Sequence, residues 1–447
     1  MNTGQGSLRA QVHASVWLWP TAAAAGSFLL TLGLLVVRPD PASAVSEWAW
    51  PSDPGTAASL LQTVATASVT ALSLTLSLTV VALQLASQQF SPRLLRSFAR
   101  DGIVQATAAV LVSAFVAALT TLRGLDPERP LPVLALLLSY LLGLSAGALL
   151  ITFMAHIVRR LRVDNMMAAV HHDAMTAMPG AYAPYGEGPE HPADDLPGPE
   201  EGALITARRS GFVRSVSPGP LVEAARRHRV VLRLGVRPGD SVVVGSPLAS
   251  ALPDQDMARV DVAALTSDVH DAVALGFERT EEQDVAFPLR QLVDIAIKAI
   301  SPAVNDPTTA AESLGYCADL LVRLTGRRLG PQVQRDRDGT VRAVLPDRDF
   351  DYYLDLTCAQ VRRFGRTEPT VLTALLRLLR DVGAQARDHQ QRDAVARQCA
   401  LVMAAMSPDL LDDDQEAVRD MARRVGLALR GEVDDAYRDR AGETRSI

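Results

Sequence analysis

The 447-residue sequence predicts a membrane bundle of four transmembrane helices followed by a cytoplasmic α+β domain, with a small β module and a helical C-terminal part. Three observations carry this prediction. Residues 1–162 contain four long apolar runs, each long enough to cross a hydrocarbon core of about 30 Å. Beyond them the spacing of apolar residues shifts to short alternating stretches and then to helical periodicity. Charge shifts too: residues 1–162 carry ten Arg and six Asp or Glu, whereas residues 163–447 carry thirty-four basic and forty-four acidic residues. An acidic soluble part argues against nucleic acid as a partner; the lipid bilayer is the partner the spans require.

Val16–Val37 is the first span, uncharged over twenty-two residues. Ala42-Ser43-Ala44 resembles a signal-cleavage site, but the run is long for a signal peptide and Arg38-Pro39-Asp40-Pro41 intervenes, so a retained helix is expected. Trp48 and Trp50 suit a membrane interface.

Thr56–Pro92 holds thirty-seven residues without a charge, roughly 55 Å as one helix. Its polar residues Thr56, Ser59, Thr63, Thr66, Thr70, Ser73, Ser77, Gln84, Ser87 and Ser91 recur at steps of three and four, broken only at Val80. That is a narrow seam of 3.5-residue period, which lipid cannot solvate and which should therefore face protein or water. Two readings stand. In one, the hydroxyls pack against other helices or bond their own backbone, with Gln84 bridging helices. In the other, several subunits turn their seams to a common axis, and Thr63, Thr66, Thr70, Ser73, Ser77, Gln84 and Ser87 line a wet path. Arg93, Arg96 and Arg100 would then sit at the cytoplasmic mouth.

Gly102–Leu122 and Leu131–Ile157 are the third and fourth spans, closed by Arg159, Arg160 and Arg162. Small residues four apart (Ala109-Ser113-Ala117 and Ser139-Gly143-Gly147) suit close helix packing. The arginine distribution favours four helices with both termini in the cytoplasm.

Residues 163–178 continue the fourth span as an amphipathic helix, and 179–202 form a linker rich in Pro and Gly. His171 and His172 are adjacent on that helix, so they point in different directions and predict a surface or pH-responsive pair, not a metal site. Residues 203–255 read as the β module, with strands at Ala203–Arg208, Gly211–Val216, Val230–Leu234 and Ser241–Val244 and a helix at Leu221–Arg227. PGDSVVVGSPL has the turn and strand of a lipoyl-like half-barrel, without the lysine that such carriers modify; the module is read as structural.

Residues 256–432 are mainly helical, and 433–447 a flexible tail. Thr280 and Gln283 form a capping-box pattern, with Pro288 kinking or ending that first segment. Leu289–Ile300 is nearly apolar all round and hence buried. Within it Asp294 and Lys298, the one lysine of the chain, stand four apart as an ion pair. In SPAVNDPTTA, Asp306 suits an N-cap and Pro307 the first helical position. Because helix N-termini attract anions, Asp294, Lys298, Asn305, Asp306, Thr308 and Thr309 are the candidate pocket for a small anion or phosphate-like ligand. Asp338-Gly339 reads as a hairpin turn. Four helices follow, from Phe350 to Leu429, with their arginines on exposed faces.

Three stretches carry a family resemblance: LSLTLSLTVVALQLASQQFSPRLLRSFARD (Leu72–Asp101), RTEEQDVAFPLRQLVDIAIKAISPAVNDPTTA (Arg279–Ala310), and SGFV with RPGDSVVVGSPLA (Ser210–Val213 and Arg237–Ala249). Together they resemble an uncharacterised bacterial membrane-protein family, domain of unknown function 2254. The resemblance implies a multi-spanning N-terminal half and a soluble C-terminal half, and supplies no catalytic residues.

Cys317, Cys358 and Cys399 are isolated, the pattern of buried thiols in a reducing compartment. No P-loop, G-x-G-x-x-G, H-E-x-x-H or nucleophile motif occurs. The sequence thus predicts neither an enzyme nor a cofactor. It predicts a homo-oligomeric pore or transport-related protein, lined by the second helix and gated by its cytoplasmic domain. The alternative is a membrane-anchored ligand-sensing or scaffold protein with no conduction path.

Overall fold

The computed structural model describes residues 18–37, 53–89, 102–126, 129–160, 162–186, 202–253 and 260–438, with backbone alone at 85–89. The chain forms two compact units, Met1–Met166 and Met167–Ile447.

In the first unit, α1 (Leu18–Val36), α2 (Pro54–Gln89), α3 (Gly102–Arg123) and α4 (Val133–Arg160) are each long and apolar enough to cross a membrane. α3 is the hub, packing against α1, α2 and α4. Ala57, Leu61 and Ala65 of α2 meet Ala118 of α3 and Leu136 of α4. Hydroxyls inside this unit find partners, as groups cut off from water must. Ser27 donates to the Ser113 carbonyl at 3.0 Å, and Thr121 and Ser139 share a 3.2 Å hydrogen bond. One of the expected small-residue contacts forms where Gly143 of α4 meets Val64 of α2: a Cβ there would lie 3.1 Å from the valine Cγ1. Gly147, one turn on, has open space instead.

The boundary falls within α5 (Val163–Ala181), which buries Met166, Met167, Val170, Ala174 and Met178 on one face as its spacing predicts. A five-stranded sheet follows, in the order β1 (Ala203–Thr206), β5 (Pro247–Pro253), β3 (Val230–Leu234), β8 (Val341–Leu345) and β7 (Gln332–Arg335). All its pairings are antiparallel except β3 with β8. A three-stranded antiparallel sheet runs β4 (Ser241–Val242), β2 (Gly211–Val216), β6 (Val273–Gly276). Ile205, Val213, Leu221, Leu232, Leu248 and Leu265 share one core with α6 (Pro218–His228) and α7 (Val262–Ala272).

The β module is therefore not closed at residue 255, because β6 and β8 complete it from later in the chain. The sequence pattern does not mark β5: PLASALP has proline at both ends and no β-branched residue, and its five interior residues are all buried, so no alternation shows.

The helical part comprises α8 (Ala286–Ala299), α9 (Pro307–Thr325), α10 (Phe350–Phe364), α11 (Pro369–Ala384), α12 (His389–Ala405), α13 (Asp412–Leu429) and the short α14 (Val433–Ala436). The expected capping box at Thr280 and Gln283 does not form. Gln283 instead accepts the Val216 amide at 3.0 Å, and Pro288 lies in the first turn of α8, where its missing N–H costs nothing. Two arginines assigned to exposed faces are also buried. Arg380 stacks on Tyr437 at 4.1 Å and Arg424 pairs with Asp420 at 2.8 Å.

Candidate functional site

The seam of α2 faces away from its own bundle. Thr56, Ser59, Thr63, Thr66, Thr70, Ser73, Ser77 and Gln84 are all exposed on the isolated chain. Ala57, Leu61, Ala65, Ser68, Thr75 and Ala82 form the buried face, on the opposite side at 100° per residue. Within the chain the seam therefore does not pack against the other helices and Gln84 does not bridge them, whereas the backbone bonding that the same reading allowed does form at Thr63 and Thr70. The 3.5-residue period defines a face but not the partner of that face, and small residues proved the better fit against α3 and α4. Some seam hydroxyls turn inward on the backbone, Thr63 donating to the Ser59 carbonyl and Thr70 to that of Thr66, both at 2.8 Å. The Ser87 side chain and Arg93, Arg96 and Arg100 lie outside the described residues.

The expected anion pocket takes a different form. Asp294 pairs with Arg290 at 3.0 Å, not with Lys298. Asp306 caps α9 as predicted, accepting the Thr309 amide at 3.0 Å and the Thr309 hydroxyl at 2.6 Å. Those hydrogen bonds from Thr309 hold the carboxyl below the usual Asp range, with the Thr308 amide adding to them. The amides expected to bind an anion are thus turned to a carboxylate the chain supplies itself. Asn305 precedes it at φ 54° and is exposed, as is Thr308, while Lys298 is half-buried.

His171 bonds Asp319 at 2.7 Å and packs on Tyr316, 5.4 Å between ring centroids. Burial alone would raise the Asp319 carboxyl, but hydrogen bonds from Arg323 and His171 outweigh it and hold it low. Among the described residues no three His, Cys, Asp or Glu side chains come together as metal ligands. Burial pushes the Cys358 thiol up to about 12 and that of Cys399 to about 11.

One cluster was missed in the sequence although its motifs were in view. The RPGD turn (Arg237–Asp240), the RTEEQD loop (Arg279–Asp284) and PDRD (Pro346–Asp349) converge from three connections of the second unit. Asp284 is fully buried, accepts from Arg279, and lies 3.3 Å from Arg348, itself 3 % exposed. Arg348 also donates to the Pro238 carbonyl at 3.0 Å. The Arg237 and Arg348 guanidiniums approach the Tyr352 ring, at 5.2 and 5.3 Å. Asp347 accepts the Arg348 amide at 2.7 Å and the Tyr182 hydroxyl at 3.2 Å, while Tyr182 and Tyr353 share a 2.6 Å bond.

Burial works against the Arg348 charge, but the Asp284 carboxylate together with Tyr352 and Tyr353 outweighs it and raises the guanidinium above its ordinary range. For Asp347 burial prevails and raises the carboxyl. Gly239 belongs to the same arrangement. Its φ is +92°, and a Cβ there would strike the Asp284 carboxylate. Arg237 also pairs with Asp240 at 3.5 Å, so Arg237, Arg279 and Arg348 gather with Asp240, Asp284 and Asp347 in an ion lattice that ties the three connections together. The signal that could have found it was the number of charges in RPGD and RTEEQD beside buried strands; the abundance of arginine elsewhere hid it.

The family model described as "Predicted membrane protein (DUF2254)" matches residues 13–381. An uncharacterized protein of Mycobacterium tuberculosis is 32% identical over 420 residues, spanning 91% of this chain and 79% of its own. An uncharacterized protein of Mycobacterium bovis matches to the same extent. No solved structure matches the chain.

Proposed function

The chain belongs to the DUF2254 family of predicted membrane proteins, and from the placement of its polar seam we propose that several copies assemble with their α2 helices around a common aqueous path. The observation that carries this reading is the outward seam, opposite the face α2 packs on its own bundle. A stripe of hydroxyls and one amide is poorly solvated by acyl chains. One subunit offers a single such stripe and encloses nothing, so a ring of copies is the arrangement that gives it water. On this reading the protein sits in the bacterial inner membrane with both termini in the cytoplasm, as its arginines suggest. The second unit then acts as the gate.

Cysteines at Thr63, Thr70, Ser77 and Gln84 test it, in the full chain in membranes, with the parent chain as control for its three native thiols. A small charged thiol reagent reacts at these positions if the seam is wet, and blocks conductance or flux. Protection at all four would end the pore reading. The second reading, a membrane-anchored sensor or scaffold without a conduction path, draws support from the Thr63 and Thr70 hydroxyls, already satisfied by their own backbone.

A further inference from the structure

Three large apolar side chains project at one end of the three-stranded sheet. Val242 of β4 pairs with Gly211 of β2, and Phe212 of β2 pairs with Gly276 of β6. The residues that follow, Val243 and Val244 on one side and Phe277 on the other, therefore flank the start of β2 together. Phe277 is 93% exposed, and each valine 62%. This is a built tip. The Val244 amide donates to the Ser210 hydroxyl at 3.0 Å, Gly245 to the Ala207 carbonyl at 2.8 Å, and Ala207 back to the Ser246 carbonyl at 2.8 Å.

The residues between these flanks are basic. Arg208 and Arg209 are both exposed on the 207–210 connection, and Arg209 reaches across to the Leu275 carbonyl at 2.7 Å. Acidic groups on the Phe277 side are Glu278, which is half-buried, and the exposed Glu281 and Glu282, the last lying 3.7 Å from Arg214. Fixed apolar side chains with arginine beside them are what a headgroup layer accepts: the apolar groups enter the acyl boundary while guanidiniums meet phosphates. The fourth candidate span ends at Arg160 and the second unit begins at Met167, so the second unit is covalently tethered to the spans through a short stretch of chain. A short covalent tether makes a weak surface contact effectively intramolecular.

We propose that the Val243–Val244 turn and Phe277 insert into the headgroup region of an anionic bilayer, with Arg208 and Arg209 on lipid phosphates. The proposal does not depend on the pore reading.

The test uses the full chain reconstituted in vesicles of phosphatidylglycerol with phosphatidylethanolamine, or of phosphatidylcholine alone. An environment-sensitive label is placed at Val244→Cys, at Phe277→Cys, and at Leu411→Cys, an exposed apolar control in the helical part. In the anionic vesicles the labels at 244 and 277 should shift to the blue and be quenched by headgroup-level nitroxide lipid, and the label at 411 should do neither. Arg208→Glu should reduce that quenching, with unfolding unchanged. Absence of quenching at both tip positions would overturn the proposal, as would equal quenching in the two vesicle types or at 411. Cross-linking of Val244→Cys between copies without lipid quenching would make the tip a contact between subunits instead, and would equally overturn it.

Discussion

Asp284 and Asp347 are neighbours of the same arginine in different settings. Asp284 has no solvent contact and is matched by Arg279 and Arg348. Removing it by Asp284→Ala takes the shared carboxylate from two guanidiniums, which should cost about 3–5 kcal/mol. Asp347 is raised by burial, so its folded-state pKa lies above its unfolded value. Such a group contributes stability below the unfolded pKa and loses it as pH rises through the folded one. At neutral pH the ionised Asp347 is a burden, and Asn in its place keeps an acceptor for Tyr182. Asp347→Asn should therefore unfold no earlier than the parent at neutral pH, and the parent should gain on it as the medium is acidified. Unfolding midpoints of the purified chain across that range check both. An Asp347→Asn variant as damaged as Asp284→Ala would show that the two carboxylates share one structural role.

At the scale of elements, much was legible because periodicity is a local property. The four spans, the amphipathic α5, the Asp306 cap and the β7–β8 hairpin all follow from spacing within a few turns or strands. What escaped was whatever depends on distant partners. The seam of α2 was visible as a stripe, but whether Thr66 and Ser73 met a neighbouring helix depended on which of its faces α3 chose. Likewise, nothing local distinguishes the buried Arg348 from the many solvated arginines around it. Gly143 and Gly147 show the same limit, since equal spacing hides unequal surroundings. A side chain at Gly143 meets Val64, whereas one at Gly147 meets nothing within 4 Å. Gly143→Leu should therefore push α2 from α4 and lower the thermal stability of the chain in detergent, by about 1–3 kcal/mol as overpacking usually does. Gly147→Leu should be tolerated. Equal loss in both would mean that Gly147 is covered in the assembled protein, and would point to a further interface along α4.

For the molecule as a whole, the unit of folding in the second half is larger than composition suggests. A boundary at residue 255 is natural on the sequence, where strands give way to helices. The pairings cross it: β3 meets β8 in parallel and β2 meets β6. Cut at 255, the fragment 203–255 would leave one edge of β3 and one of β2 unpaired and uncover Leu232 and Val213, both fully buried in the intact unit. An open edge with an apolar core beneath it is an aggregation surface, not a domain. The Asp284 and Arg348 lattice adds to this, since its acceptors and donors come from 237–240, 279–284 and 346–349 together. Expressed alone, 203–255 should be insoluble or show no amide dispersion, whereas 167–438 should give dispersed amides and unfold in one cooperative transition. A protease-resistant core ending near residue 255 would refute this, and would require the β3–β8 pairing to be a late addition to an already stable module. The distinction bears on any gating role, because a module that cannot fold without the helical part cannot move independently of it. Signals received by the α8–α13 helices would then reach the sheets through shared strands and the buried ion lattice, not through a hinge at the composition boundary.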